Sequence, residues 1–300
     1  MPQGYAGSTV EGINDSGLIV GFALNLAQNS DFAAVWTASS NPLIIGGAGS
    51  YALAVNSRGE VAGGALDGSG FTQVFTWTQQ HGMTFRGTFP GGSNIDARAI
   101  NAAGELAGWG NGTLGCCGDR AFFYSENGGF LRIDPPSPYD LSYASGLNNR
   151  GDVVGSFQDG SEGVPFIFNT STNQLALVSS SLDVVPGAAM AINNSDWLVG
   201  TSTSGGFLYV NGESYLLSDL VQGWSIGEAV DINSAGQILA YGTNGQMTGA
   251  LLLTRTGTMT ATPELGSFTY LAMGFGLLLI AARFTKAGTA QFLAAPGSPS

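Results

Sequence analysis

Apolar and polar positions along the chain repeat one short figure. An apolar residue is followed by Asn, two polar or small residues, Gly, one further residue, and an apolar run that closes on Gly. It reads INDSGLIVG from Ile13, VNSRGEVAG from Val55, INAAGELAG from Ile100 and LNNRGDVVG from Leu147. INNSDWLVG from Ile192 and INSAGQILAYG from Ile232 are looser copies, with Asp196 replacing the first Gly and Ala240 the last. The asparagines fall at 14, 56, 101, 148, 193 and 233, spaced by 42, 45, 47, 45 and 40 residues. Self-similarity at this period marks a repeat architecture.

The figure has the chemistry of a hairpin. Asn bonds its side chain to the backbone two residues on, and Gly three residues later accepts the positive φ that follows a type I turn. Asn14, Gly17, Asn56, Gly59, Asn101, Gly104, Asn148, Gly151, Asn193, Asn233 and Gly236 are therefore read as structural turn formers, not ligands. The strand before each turn is rich in small residues, as in SYALAVN and GAAMAIN. Behind it comes an apolar strand with aromatics two apart: Phe75 and Trp77, Phe122 and Tyr124, Phe166 and Phe168, Phe207 and Tyr209. The first copy has Ala34 and Trp36 there, and the last only Ala-Leu-Leu-Leu. Residues two apart share one face of a strand, so these pairs are expected to pack between sheets rather than to bind sugars. The second copy predicts strands near 51–56, 60–66, 72–78 and 83–88. Four short strands per repeat is the arithmetic of a propeller blade. The expected fold is all-β: a β-propeller of about six four-stranded blades over residues 1–260. Ring closure is expected to draw a strand near residues 250–256 into a blade begun at the N-terminus.

At this point the residues resemble a known family. The Ala-x-x-Ile-Asn-x-x-Gly-x-Val-x-Gly block, with a Phe-x-Trp strand behind it, is similar to the bacterial HAF repeats over roughly residues 5–255. RAFFY, Arg120–Tyr124, is nearest to the His-Ala-Phe triplet that names them, with Arg at the His position. The resemblance implies an extracellular repeat protein with a propeller fold. It brings no reaction and no catalytic residues.

The pattern changes after Thr262. Leu265–Ala282 is an 18-residue run without a charge, long enough as a helix to approach the hydrocarbon thickness of a bilayer. Arg283 and Lys286 follow, and basic flanks stay cytoplasmic, which would leave the acidic repeats outside. Pro263 and Glu264 stand before the run and Arg283 after it, a layout that resembles the PEP-CTERM sorting signal. Leu265 occupies the place of the second Pro, and the chain continues past the basic pair. The resemblance implies an exosortase-type processing enzyme as partner. The expected organisation is then a repeat domain (1–260), a linker (261–264), a transmembrane or sorting helix (265–283) and a disordered tail (284–300). A buried core element is the other reading of the apolar run. MPQGYAGSTVEG has neither a basic start nor an apolar core, so an export signal is expected upstream of it.

Composition narrows the partners. With 21 acidic and 9 basic residues the formal net charge is −12, the wrong sign for tracking a nucleic-acid backbone. Cys116 and Cys117 are adjacent and are read as small loop residues, because neighbouring cysteines form only a strained disulfide. No metal ligand set and no cofactor loop are visible. His81, the one histidine, is read as a surface loop residue. The acids Asp67, Asp96, Asp119, Asp134, Asp140, Asp152, Asp159 and Glu162 are scattered. The loops Gly110–Arg120 and Asp134–Tyr143 break the repeat and are the better suspects for recognition.

The function expected from this is a non-catalytic, exported surface or secreted repeat protein with no catalytic residues, serving in adhesion or a matrix and contacting extracellular polysaccharide. The alternative is an extracytoplasmic lyase or hydrolase acting on polysaccharide, which requires carboxylates, an Arg and a Tyr clustered on one face. A third reading is a cytosolic interaction module whose apolar C-terminal run is core.

Overall fold

The computed structural model describes residues 4–112, 118–160, 163–178 and 187–255, together with the backbone of 268–273, 282–283 and 291–292. The chain forms two compact units, residues 1–176 and 177–300. The first holds four antiparallel sheets. Sheet one is β1 (Tyr5–Ile13), β2 (Ile19–Asn25), β3 (Ser30–Trp36) and β4 (Leu43–Ala48). Sheet two is β5 (Ser50–Val55), β6 (Val61–Leu66), β7 (Thr72–Thr78) and β8 (Gly82–Gly87). Sheet three is β9 (Ser93–Ile100), β10 (Leu106–Asn111), β11 (Asp119–Ser125) and β12 (Gly129–Ile133). Sheet four is β13 (Leu141–Leu147), β14 (Asp152–Gln158), β15 (Gly163–Asn169) and β16 (Gln174–Leu177).

Among the described residues the second unit holds two more four-stranded sheets and one two-stranded pair. Sheet five is β17 (Gly187–Ile192), β18 (Leu198–Ser202), β19 (Gly205–Val210) and β20 (Glu213–Leu216), followed by one helical turn, α1 (Leu217–Leu220). Sheet six is β21 (Ser225–Ile232), β22 (Ile238–Thr243), β23 (Thr248–Arg255) and β24 (Phe268–Met273). Six four-stranded antiparallel sheets make the fold all-β and propeller-like, and sheet two begins and ends within a residue of where its pattern predicts.

Packing between sheets uses the aromatic strands. Phe75 joins Val20, Val35 and Ala52 in a core between sheets one and two. Phe122 joins Val74, Phe89 and Ile95 between sheets two and three. Phe166 and Phe168 join Ala121, Phe123 and Phe157 between sheets three and four. In the second unit Leu208, Ile226, Leu251 and Leu253 form the core between sheets five and six. Each fully buried Phe or Leu contributes about 2 kcal/mol by leaving water.

The small residues of the first strands have a specific reason. Each first strand carries a bulge; in sheet two it falls between Ala52 and Ala54. The bulge drives the Tyr51 carbonyl toward the closing Gly of the motif. A Cβ on Gly63 would meet that oxygen at 2.0 Å, and one on Gly108 would meet the Asp96 carbonyl at 1.9 Å. No side chain fits there. Ala240 holds the same register position in sheet six, opposite Ala229, and the structure offers no reason why a methyl is tolerated there.

Two expectations are corrected. Among the described residues every sheet is built from sequence-consecutive strands: β1 pairs with β2, and residues 248–255, expected to complete a blade begun at the N-terminus, pair with β22 and β24. The reason is local, since β1 already starts a complete four-strand meander. Second, within the run read as a membrane helix, Phe268–Met273 is a strand. It pairs antiparallel with β23 from Ala250↔Met273 to Arg255↔Phe268. Without it β23 would present an unpaired edge, and the Phe, Thr and Tyr of FTYLAM favour extended backbone. Among the described residues no helix is long and apolar enough to cross a membrane.

Candidate functional site

The six asparagines occupy the corners between the first and second strands. At Asn56 the backbone N–H donates to the Glu60 carbonyl at 3.0 Å, and Gly59 N–H donates to the Asn56 carbonyl at 3.0 Å. Oδ1 accepts the N–H groups of Arg58 and Glu60, both at 3.0 Å. Nδ2 donates to Glu60 Oε2 at 3.3 Å and, across to the next sheet, to the Asn101 carbonyl at 3.0 Å. The side chain thus uses its full donor and acceptor capacity. The same link runs from Asn14 to the Asn56 carbonyl (2.9 Å), from Asn101 to the Asn148 carbonyl (3.1 Å) and from Asn193 to the Asn233 carbonyl (3.1 Å). Asn101, Asn148 and Asn233 also donate to the side chain four residues on, Glu105, Asp152 and Gln237. Gly17, Gly59, Gly104, Gly151 and Gly236 all have φ between 74° and 82°. Asp196 adopts φ 62° in the fifth corner, so the copy without Gly keeps the turn, using one of the residues that tolerate this region. The asparagines therefore tie sheet to sheet as well as forming turns. The hairpin pattern contains no sign of that second role, which is a bond between residues 40 to 47 positions apart.

Upstream of each Asn the repeat is less uniform, as at the position three residues before it (Glu11, Leu53, Arg98, Ser145, Met190, Val230) and at the position five residues before it. The latter column reads Thr9, Tyr51, Asp96, Tyr143, Ala188 and Glu228. Its partners on the second strands are Phe22, Gly64, Trp109, Ser156, Thr201 and Tyr241. In the first unit these positions meet. Phe22 and Tyr51 are edge to face at 6.5 Å between ring centroids. Asp96 Oδ1 lies over Gly64, where a Cβ would meet it at 2.1 Å, so the missing side chain of sheet two makes room for the carboxyl of sheet three. Arg98 reaches Asp96 Oδ2 at 3.7 Å and sets its guanidinium 5.5 Å from the Trp109 ring centre. Trp109 meets Tyr143 edge to face at 4.9 Å. Tyr143 donates its hydroxyl to Asp119 Oδ2 at 2.9 Å, and Asn111 donates to Asp119 Oδ1 at 2.7 Å.

This belt is electrostatically unusual. Asp96 Oδ1 is buried without a hydrogen-bond partner. Burial pushes its carboxyl up to about 6, against the opposing pull of Arg98. The Tyr143 phenol is pushed up to about 12, first by burial and then by its bond to Asp119, so it stays a donor. Burial likewise raises Tyr51. The belt combines a carboxyl that can hold a proton near neutrality, a guanidinium, two phenols and an indole. Among the described residues no group of His, Cys, Asp and Glu is arranged to hold a metal.

Both suspect loops open from the belt's end of sheets three and four. Asn111 and Asp119 flank the first, whose residues 113–117, including Cys116 and Cys117, lie outside the described residues. The second is pinned by Arg120, which contacts Asp134 at 3.3 Å and donates to the Asp140 carbonyl. Asp134 also pairs with Arg132 at 2.8 Å, and Tyr139 stacks on Phe157. Asp67 caps its own turn: its Oδ1 accepts the N–H groups of Phe71 and Ser69, which holds its carboxyl below the usual value. His81 is exposed on the β7–β8 loop and bonds Thr78 at 3.2 Å. Pro263 and Glu264 lie outside the described residues, and Arg283 falls in β25 (Ala282–Arg283), paired with β26 (Gln291–Phe292). The belt was missed in the sequence because its members are spread from 51 to 143. Aligning the repeats on Asn and reading the column five residues upstream would have exposed it.

No protein-family model matches the chain, and no curated protein matches it. Solved structures do. The β-propeller domain of the trilobed protease from Pyrococcus furiosus, described as having an open velcro topology, superposes with a TM-score of 0.56 at 10% identity, over 97% of each chain. An acylaminoacyl peptidase from Pyrococcus horikoshii matches with a TM-score of 0.53 at 11% identity, over 90% of this chain and 52% of that one. An acylaminoacyl peptidase bound to Z-Gly-Gly-Phe-chloromethyl ketone matches with a TM-score of 0.52 at 10% identity, over 96% of this chain and 52% of that one. The chain thus spans about half the length of these peptidases, and likeness at this identity concerns the fold alone. It nevertheless corrects one expectation. Not being an enzyme was inferred from regular blades without a catalytic motif, yet such sheets occur within peptidases. Regularity of the sheets is no argument against catalysis.

Proposed function

We propose that the chain is an exported, surface-displayed or secreted repeat protein that recognises extracellular polysaccharide through the belt end of sheets two to four. The carrying observation is the contrast between uniform corners and a belt whose residue changes in every sheet. At that belt Asp96, Arg98, Trp109, Tyr143 and Asp119 are in contact, the mixture of charged, hydroxyl and aromatic groups that a recognition surface uses. The HAF-repeat resemblance and the net charge of −12 support an extracytoplasmic setting. The sorting resemblance at Pro263, Glu264 and Arg283 supports engagement of the C-terminal segment by an exosortase-type enzyme at the membrane during export, before residues 268–273 dock on β23. The test is protease shaving of intact source cells with antibody detection. Loss of the repeat region from intact cells is expected, and its survival until lysis refutes export. In the same cells, the double variant Arg98→Ala/Trp109→Ala should fold and reach the surface but lose retention in the matrix.

One observation favours a second reading, a polysaccharide-acting lyase or hydrolase. The clustering that reading requires is present: Asp96, Asp119, Arg98, Tyr51 and Tyr143 share one belt. A carboxyl held near 6 suits proton transfer at neutral pH. Release of reducing or unsaturated ends by the full chain, abolished in Asp96→Asn, would establish it.

A further inference from the structure

A second site lies at the opposite, corner end of sheets one and two. A cleft of about 620 Å³ is lined by Trp36 and Trp77 together with Arg58, Gln79, Gln80 and His81. Its volume is in the range of small-ligand sites. The two tryptophans hold the same register position, the last aromatic of the third strand; sheets three to six have Tyr124, Phe168, Tyr209 and Leu253 there. At this register position only sheets one and two carry tryptophan, and both indoles line the one cleft. Both are half-buried, so each is anchored in the sheet and still borders the cleft. Trp77 packs against the core of Val20, Val61 and Phe75, which holds its ring in place.

The polar lining sits around these rings. Gln79, Gln80 and His81 are exposed on the β7–β8 loop, and that loop is fixed by the bonds of His81 N–H and Nδ1 to the Thr78 hydroxyl at 3.1 and 3.2 Å. Thr37, Ser40 and Asn41 face them from the β3–β4 loop, itself closed by Thr37 N–H donating to Ser40 Oγ at 2.8 Å. Arg58 contributes a guanidinium whose charge is met by Glu60 at 3.1 Å. Among the described residues no carboxylate lines the cleft. The result is a near-neutral trough with flat apolar faces and a rim of amide, hydroxyl and guanidinium groups. A pyranose has the matching chemistry: C–H faces that lie on an indole, whose negative π-face attracts them, and equatorial hydroxyls that bond amides and guanidinium.

We infer that this cleft binds a neutral pyranose oligosaccharide. The inference is independent of the belt and of any reaction there. The test is titration calorimetry of the full chain with cellohexaose, xylohexaose and mannohexaose, and with hexagalacturonate as the charged comparison. At least one neutral hexamer should bind and quench tryptophan fluorescence. Gln79→Ala/Gln80→Ala, on an exposed loop, should weaken that binding at least tenfold with an unchanged melting temperature, and Trp36→Phe should weaken it while keeping the fold. Arg98→Ala/Trp109→Ala, at the belt, should leave it unchanged. Binding of hexagalacturonate alone, binding indifferent to the Gln79/Gln80 pair, or no binding of any neutral hexamer overturns the assignment. Loss through the belt variant instead would place the saccharide at the belt and equally overturn it.

Discussion

The Asn corners and the belt lie on the same strands, five residues apart, and follow opposite rules. At the corner every copy keeps Asn, and the bonds it makes are the same from sheet to sheet. At the belt no two adjacent sheets carry the same residue, and one carboxyl is buried with an oxygen unpaired. A repeated solution signals a shared structural requirement, here the satisfaction of backbone groups where two sheets meet. A column that varies from sheet to sheet is free of that requirement. The belt also carries a cost: a raised carboxylate pKa means that ionised Asp96 weakens the fold. Such a cost is retained where a group has another use.

The comparison can be broken in four ways, in order of expected effect. Gly63→Ala sets a methyl against the Tyr51 carbonyl at 2.0 Å and should cost about 3 kcal/mol or more, or prevent folding, as read by chemical denaturation. Asn101→Ala removes the side-chain bonds to the Asn148 carbonyl, which keeps Gly151 N–H, and from the N–H groups of Ala103 and Glu105; three bonds at about 1 kcal/mol each make a loss of about 3 kcal/mol the expectation. Asp96→Asn should instead stabilise. Its native pKa, about 6, lies above the unfolded value of 3.8, so the folded chain binds the extra proton between them. Stability then falls as pH rises from about 4 to 6 and stays low above, by up to about 2–3 kcal/mol at 1.36 kcal/mol per unit. The Asn variant should remove that slope and melt higher than the parent at pH 8. A parent that instead gains stability from pH 4 to 6, with the variant unchanged, would contradict the burial of Asp96. Finally Asn14→Ala, at the half-exposed first corner, should cost only about 1 kcal/mol, because water can reach the groups it abandons. Equal losses at Asn14 and Asn101 would show that burial does not grade the corners.

The chain's own pattern was enough for the sheets. Period-two alternation, Asn-x-x-Gly turns and the Phe-x-Trp strand are local rules, and each acts within a few residues; β5 to β8 sit where those rules put them. Even Asp196 keeps its corner, since a single left-handed residue is a local matter. The reading failed where the outcome depended on partners distant in the chain. Phe268–Met273 is apolar enough for a helix, and the open edge of β23 selects the strand that its Phe, Thr and Tyr also accept. Asp96, Trp109 and Tyr143 are ordinary residues in sequence. They become a belt because successive sheets stack at one register, with Gly64 leaving the gap that the Asp96 carboxyl enters. Local backbone preference is written residue by residue, whereas burial, unpaired edges and shifted proton affinities exist only once separate sheets have met.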